Sequence, residues 1–249
     1  MKLLIDLGNS RLKWATLRDG QLQRGGVFAH VDKALAPALH TEWASLPRID
    51  EVLAASVVGA EREQELAHVV RERFQRHVAI PRSPASALGV RNAYAEPARL
   101  GIDRFLGMAA LRAERARALV LVSVGTALTL DALDADGRHH GGLIVAGPQL
   151  MREALLANTA RVGTFDGVWR EMPTSTADGV FAGSLYAAVG AIERFCAVAA
   201  RDFGTAPALF LTGGGADDIE ALLPGAERVH DLVLRGLALW STQVCDADG

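Results

Sequence analysis

Apolar residues along this chain fall into two kinds of run. Short, nearly continuous runs bounded by Gly, Pro or Asp predict strands: MKLLIDL at the start, EVLAASVV from Glu51, ALVLVSVG from Ala118, GLIVAG from Gly142 and ALFLTGGG from Ala208. Longer stretches with apolar residues three and four apart predict helices. These lie near Val31 to Leu46, over EREQELAHVVRERF from Glu61, over LGIDRFLGMAALRAERAR from Leu100, over QLMREALLA after Gly147-Pro148, from Gly179 to Arg201, and around Leu232 to Trp240. The first thirty or so residues read as antiparallel strands turned at Asp19-Gly20, a strong hairpin signal, and ending at Gly25-Gly26. An acidic helix start is expected at Asp217 and Asp218, and the Pro- and Ala-rich stretch from Pro81 to Pro97 reads as loop. Strands alternating with helices and interrupted by hairpins give an α/β class with mixed sheets.

The opening pattern occurs twice. IDLGNSRLKWATLRDG from Ile5 and VSVGTALTLDALDADG from Val122 superimpose with a single offset of 117, Asp6 on Ser123, Gly8 on Gly125, Asn9 on Thr126 and Gly20 on Gly137. The spacing reads as matching residue for residue. An offset near half the length predicts two like domains, 1-117 and 118-249, closely apposed around a cleft because no low-complexity linker divides them. A turn with Gly at its tip bares backbone N–H groups to a phosphate, and two such turns suit a polyphosphate. At the first turn, Asp6 can hold Mg²⁺ through water, Asn9 can donate hydrogen bonds and Lys13 offers charge. Taken alone it is also an ordinary hairpin with a turn-favouring Asn. Gly125-Thr126 and the third glycine junction, TGGGA from Thr212, where a base or ribose could lie on bare backbone, favour a nucleotide site.

Composition narrows the classes. Across 249 residues half are apolar, 22% are charged and the net charge is −3, which argues against a dedicated nucleic-acid or anionic-membrane binder. The basic stretch Arg99 to Arg117 reads as a solvated helix face. Cys196 and Cys245 offer neither a disulfide framework nor metal-ligand spacing, and the N-terminal apolar run is too short for a signal or a spanning segment, so a cytoplasmic protein is expected. The seven histidines show no catalytic or metal-like spacing. No GxxxxGK[ST] occurs, and no GxGxxG is followed by a suitably spaced acid, which removes the P-loop and dinucleotide readings.

Several motifs in order, DLGNSRLK from Asp6, YAEPARLGIDR from Tyr94, GTALTLD from Gly125, STADG around Thr176, TGGGA from Thr212 and the closing DLVLRGL, resemble type III pantothenate kinase over nearly the whole chain. That family lies in the superfamily of acetate and sugar kinases, heat-shock ATPases and actin. The resemblance implies two duplicated actin-like (ribonuclease H-like) domains with an interdomain ATP cleft. It also implies ATP-dependent phosphorylation of pantothenate to 4′-phosphopantothenate, the first step of coenzyme A biosynthesis, in a homodimer. Carried over, Asp6, Leu7, Gly8, Asn9, Ser10, Arg11, Leu12 and Lys13 form the first ATP turn. Gly125, Thr126, Gly213 and Gly214 are further ATP contacts, Asp103 is the general base, and Tyr94, Gly101, Ile102, Asp103, Arg104 and Thr176 border pantothenate. Physically, an Asp in a first helical turn is also an ordinary charged helix start. Arg104 strengthens the functional reading, since it can pair with a substrate carboxylate while Asp103 accepts a hydroxyl proton.

One departure stands out: family members carry Asp where this chain has Ser123, and that Asp helps hold a monovalent cation. A K⁺ or NH₄⁺ site is therefore expected to be weakened, unless a neighbour such as Asp131 substitutes. Two other readings remain at this point, a regulatory nucleotide-binding homologue without catalysis and a kinase of the same fold acting on another small hydroxyl or carboxylate substrate; some members of the family are described as Bvg accessory factors, a regulatory label that the motifs do not explain.

Overall fold

The computed structural model describes residues 1–30, 34–159 and 166–243. Cys245 and the start of the expected helix at Val31 lie outside them. The chain forms two compact units, Met1–Arg115 joined by the segment from Asp231, and Ala116–His230.

The first unit opens with β1 (Lys2–Leu7), β2 (Arg11–Arg18) and β3 (Gln21–Ala29), then α1 (Leu35–Glu42), β4 (Glu51–Ser56), α2 (Ala60–Phe74) and β5 (Val78–Ala79). Asp19 and Gly20 both adopt positive φ, +52° and +76°, as a two-residue primed hairpin turn requires. The sheet order is β3-β2-β1-β4-β5, with β1 and β2 antiparallel and β1, β4 and β5 parallel. Leu3, Ile5, Leu7, Leu12 and Trp14 bury one face against Leu35, Leu39, Leu66 and Val70 of α1 and α2. Gly25-Gly26 does not end the meander; β3 runs through it to Ala29. A Cβ on Gly25 would lie 2.2 Å from the Trp14 ring, so the glycines let the indole lie across the strand instead of stopping it. The Pro-rich stretch contains a small hairpin, β6 (Ser86–Ala87) and β7 (Val90–Arg91), and leads to α3 (Ile102–Glu114).

The second unit repeats this plan with β8 (Leu119–Val124), β9 (Ala127–Leu133), β10 (His139–Ala146), α4 (Pro148–Asn158), α5 (Thr176–Phe203), β11 (Ala208–Thr212) and β12 (Glu227–Arg228) in the order β10-β9-β8-β11-β12. β8 lies 117 residues after β1 at both ends. The return strand breaks the residue-for-residue match. Leu7 pairs with Leu12 across four residues, whereas Val124 pairs with Leu128 across three. The missing residue returns at the hairpin, where Asp134 to Arg138 form a longer loop closed by Asp134 N–H to the Arg138 carbonyl at 3.0 Å. A compensated deletion leaves the outer spacing unchanged, which is why the motif spacing concealed it.

α5 is long and apolar enough to cross a membrane by length and composition, and its Leu185, Ala188, Val189 and Ile192 form the core with Val120, Val122 and Leu130 of the sheet. The acidic segment at Asp217 forms two 3-10 turns, Ala216–Asp218 and Glu220–Leu222, in place of the expected helix. The last element, α6 (Leu232–Gln243), packs on α3 and β1 in the first unit.

Candidate active site

In the first unit β1 delivers Asp6 to its carboxyl end, directly across from Lys13 in β2, with Lys13 Nζ 3.9 Å from Asp6 Oδ2. The turn between them is closed by the Gly8 N–H donating to the Arg11 carbonyl at 3.1 Å. His30, 3% exposed, holds the turn from the protein side: its Nε2 lies 2.8 Å from the Gly8 carbonyl and its N–H donates to the Ser10 carbonyl at 3.2 Å. Because the partner is a carbonyl, Nε2 carries the proton. His30 has no motif signature, and sequence reasoning missed it. Asn9 and Arg11 are exposed beside the turn, whereas Leu7 and Leu12 are fully buried, so only their backbone can meet a ligand. Burial raises the Asp6 carboxyl from 3.8 to about 6; Lys13 pulls it down, and the Asp103 and Asp231 carboxylates push it up.

The Asp103 field at Asp6 ties the first turn to the start of α3. Gly101 precedes the helix, and a Cβ there would lie 2.5 Å from Asp103 Oδ1, so glycine makes room for the carboxylate to fold back over the helix start. Asp103 is half-buried and Ile102 is buried. Arg104 corrects the solvated-face reading of this stretch: it is 6% exposed, its Nη1 donates to Tyr94 Oη at 3.1 Å, and its guanidinium carbon lies 5.9 Å from the Tyr94 ring centroid. Asn92, unremarked in the sequence, fixes Tyr94 by accepting its N–H at 3.0 Å while donating to the Pro84 and Pro97 carbonyls. The structure thus gathers Asp6, Lys13, Gly8, Asp103, Arg104 and Tyr94 within one unit.

In the second unit the Gly125 N–H donates to the Ala127 carbonyl at 2.9 Å, the counterpart of the Gly8 bond. Gly147, read from the sequence only as a break before a helix, donates to the Thr126 carbonyl at 2.8 Å, and a Cβ there would lie 2.1 Å from the Gly125 carbonyl oxygen. The third junction packs on the same turn. Gly213 has φ +93° and a Cβ on it would lie 2.3 Å from the Val124 carbonyl oxygen, while Gly215 N–H donates to that oxygen at 3.0 Å. Arg228 anchors this loop by donating to the Gly213 carbonyl at 2.7 Å. Gly125, Thr126, Gly213 and Gly214 therefore belong to one glycine-lined corner. Thr176 is the first residue of α5, whose start is capped by Ser175 accepting the Asp178 N–H at 3.1 Å.

Ser123 stands opposite Thr129 in β9 and beside Thr212 in β11, so where the first unit pairs Asp6 with Lys13 the second aligns three hydroxyls. Asp131 is 1% exposed and bonded to buried His139 at 2.9 Å, two rungs further along β9. Among the described residues no group of three His, Cys, Asp or Glu side chains is placed to hold a metal. A lone carboxylate at Asp6 still fits Mg²⁺, a hard ion that keeps several waters and takes the rest of its oxygens from phosphates.

The family model for type III pantothenate kinase matches residues 2–198. Proteins named type III pantothenate kinase from Stenotrophomonas maltophilia (strain K279a) and Xanthomonas campestris pv. campestris (strain B100) are 42% and 44% identical, over 238 and 243 residues, with 96% of this chain and 96% of each relative covered. Among solved structures, a putative Baf family transcriptional activator from Campylobacter jejuni superposes with a TM-score of 0.60 at 18% identity, covering 94% of each chain. A putative 2-dehydro-3-deoxygalactonokinase from Sinorhizobium meliloti gives 0.56 at 14%, covering 97% of this chain and 99% of that one. At such identities the structures speak for the fold alone, the duplicated actin-like α/β architecture with two mixed sheets. Matching along most of its length to the family model, and at over 40% identity to the curated relatives, the chain belongs to the type III pantothenate kinase family.

Proposed function

We propose that the protein transfers the γ-phosphoryl group of ATP to the primary hydroxyl of pantothenate, giving 4′-phosphopantothenate and ADP at the entry to coenzyme A synthesis. The observation that carries this reading is the joining of the Asp6 turn to the Asp103–Arg104–Tyr94 cluster in one unit. A site that only bound nucleotide would need no half-buried carboxylate beside a buried, preoriented arginine. Asp103 accepts the hydroxyl proton as the oxygen bonds to the γ-phosphorus, and the bond from that phosphorus to the β–γ bridging oxygen breaks, leaving ADP. Arg104, held by Tyr94, takes the acceptor's carboxylate as a planar two-point donor. Tyr94, Gly101, Ile102 and Thr176 complete the acceptor contacts.

The residues from Asp6 to Lys13 hold the phosphates in the first unit, and Gly125, Thr126, Gly213 and Gly214 supply the ATP contacts of the second. Asp6 holds Mg²⁺ through water; that ion, when bound, neutralises charge on the transferring phosphoryl group. The chain's own contribution is positioning and fixed N–H dipoles. With three hydroxyls in place of a carboxylate and Asp131 committed to His139, the K⁺ or NH₄⁺ site is weak. The active species is a cytoplasmic homodimer. The test is ADP release by purified protein against pantothenate, a hexose and acetate, with the product mass measured. Turnover with pantothenate alone supports the reading; turnover only with a sugar or acetate, or none, removes it.

A further inference from the structure

Both copies of the phosphate turn are buttressed from the same place in the repeat, by different means. Gly147 stands at the 117-residue offset from His30 that separates β8 from β1. The two residues make the same backbone bond. The His30 N–H donates to the Ser10 carbonyl at 3.2 Å and the Gly147 N–H to the Thr126 carbonyl at 2.8 Å, in each case the residue just before the one that accepts the turn glycine's N–H. The next contact also falls on the same atom. In the second copy the Gly125 carbonyl oxygen lies so close that a Cβ on Gly147 would come within 2.1 Å of it, whereas in the first the Gly8 carbonyl meets the His30 imidazole, with Nε2 at 2.8 Å. The first turn is one residue longer, and a side chain spans there the distance that backbone closes in the second.

The orientation of that carbonyl decides what the turn offers a ligand. The missing Cβ that lets a phosphate approach Gly8 also lets the Gly8–Asn9 peptide rotate at little cost. A trans peptide points its C=O and N–H in opposite directions, so the two orientations present dipoles of opposite sign. With the carbonyl drawn to His30, which is 3% exposed, the Asn9 N–H is turned away from the imidazole, on the side of the exposed Asn9. Reversed, the same peptide would set a carbonyl oxygen against the phosphate. Donation from His30 disfavours the reversal, because it would leave both the imidazole N–H and the carbonyl without their bond inside the protein. The His30 backbone keeps its place whatever the side chain, since its bond to Ser10 continues the β2–β3 ladder one rung beyond Arg11 and Ala29.

We infer that His30 is a positioning residue for the phosphates of ATP, acting through the Gly8 carbonyl to aim the Asn9 N–H, and that Gly147 holds the equivalent place for the second turn. This rests on the proposed kinase reading for the identity of the ligand. The test titrates a non-hydrolysable ATP analogue, with adenosine as the phosphate-free control, into the wild-type protein, His30→Leu, His30→Asn and His30→Gln. Gln places an amide N–H where Nε2 stands, Asn falls one bond short, and Leu has no donor. His30→Leu and His30→Asn are expected to bind the analogue about 10- to 100-fold more weakly with adenosine affinity within about twofold of wild type, and His30→Gln to recover to within about threefold. Thermal unfolding shows which variants are folded; should His30→Leu not fold, His30→Asn against His30→Gln makes the same comparison. Unchanged affinity for the analogue in the folded donor-free variants, an equal loss in His30→Gln, or an equal loss for adenosine would each overturn the inference and leave the kinase reading standing. A wild-type protein that binds the analogue without phosphorylating pantothenate would remove the kinase reading alone, and one that does not bind it would remove both.

Discussion

Asp6 shows how burial can hold one side chain at a cost to stability. Its carboxyl sits near pH 6 against 3.8 unfolded, so the folded state binds the extra proton between those values and loses stability as pH rises through that window. The ionised form is thus costly in the ligand-free protein, and a cation bound beside it would relieve that cost. Asp6→Asn should stabilise the ligand-free protein by about 1–2 kcal/mol at pH 7.5, an effect that largely fades by pH 4, while abolishing Mg²⁺-dependent turnover. Urea unfolding at the two pH values checks it; a variant less stable than wild type at pH 7.5 would contradict the burial argument. Ser123 carries the opposite lesson. Three aligned hydroxyls bring no charge, so the protein should show little potassium stimulation, and Ser123→Asp should lower the potassium needed for half-maximal rate. Titration with potassium chloride against choline chloride decides, and saturable activation of the unmutated protein at low millimolar potassium would contradict it.

At the level of elements, the site rests on glycines whose missing Cβ lets one backbone lie on another. Gly213 combines positive φ with a 2.3 Å approach to the Val124 carbonyl oxygen, so Gly213→Ala should cost at least about 2 kcal/mol and weaken ATP binding without changing the acceptor site. Calorimetric titration with a non-hydrolysable ATP analogue and with pantothenate separates the two effects; equal loss for both ligands would mean a global disturbance. The same elements show what was legible beforehand. The strand–turn–strand units, the buried-type strands and the long helix α5 follow from periodicity and turn chemistry, which are local. Glycine at Gly25-Gly26 misled because its cause is the Trp14 ring on the neighbouring strand, and the 3-10 turns at Asp217 replaced a helix that local charge suggested. His30 and Asn92 act by bonding backbone carbonyls far away in sequence, and nothing in a spacing pattern marks such a partner.

For the whole molecule, duplication is the organising fact. Two sheets of identical strand order carry the same turn, and beside that turn the copies differ in charge, with Asp6 and Lys13 paired in one and Ser123 and Thr129 in the other. The repeat was readable because glycine turns impose their spacing. The one-residue shortening of the second turn was not, because a longer hairpin restores the count. A homodimer should appear by sedimentation equilibrium at micromolar protein, and a monomer retaining full activity would exclude dimerisation as a requirement. The central claim is that Asp103 removes the proton from the pantothenate hydroxyl during phosphoryl transfer from ATP. Single-turnover phosphorylation of pantothenate by Asp103→Asn tests it most directly, because the amide keeps the shape and loses the base. The expected result is a chemical step slower by about 10² to 10⁴ with ATP and pantothenate still bound at wild-type affinity; phosphorylation at the wild-type rate would contradict it.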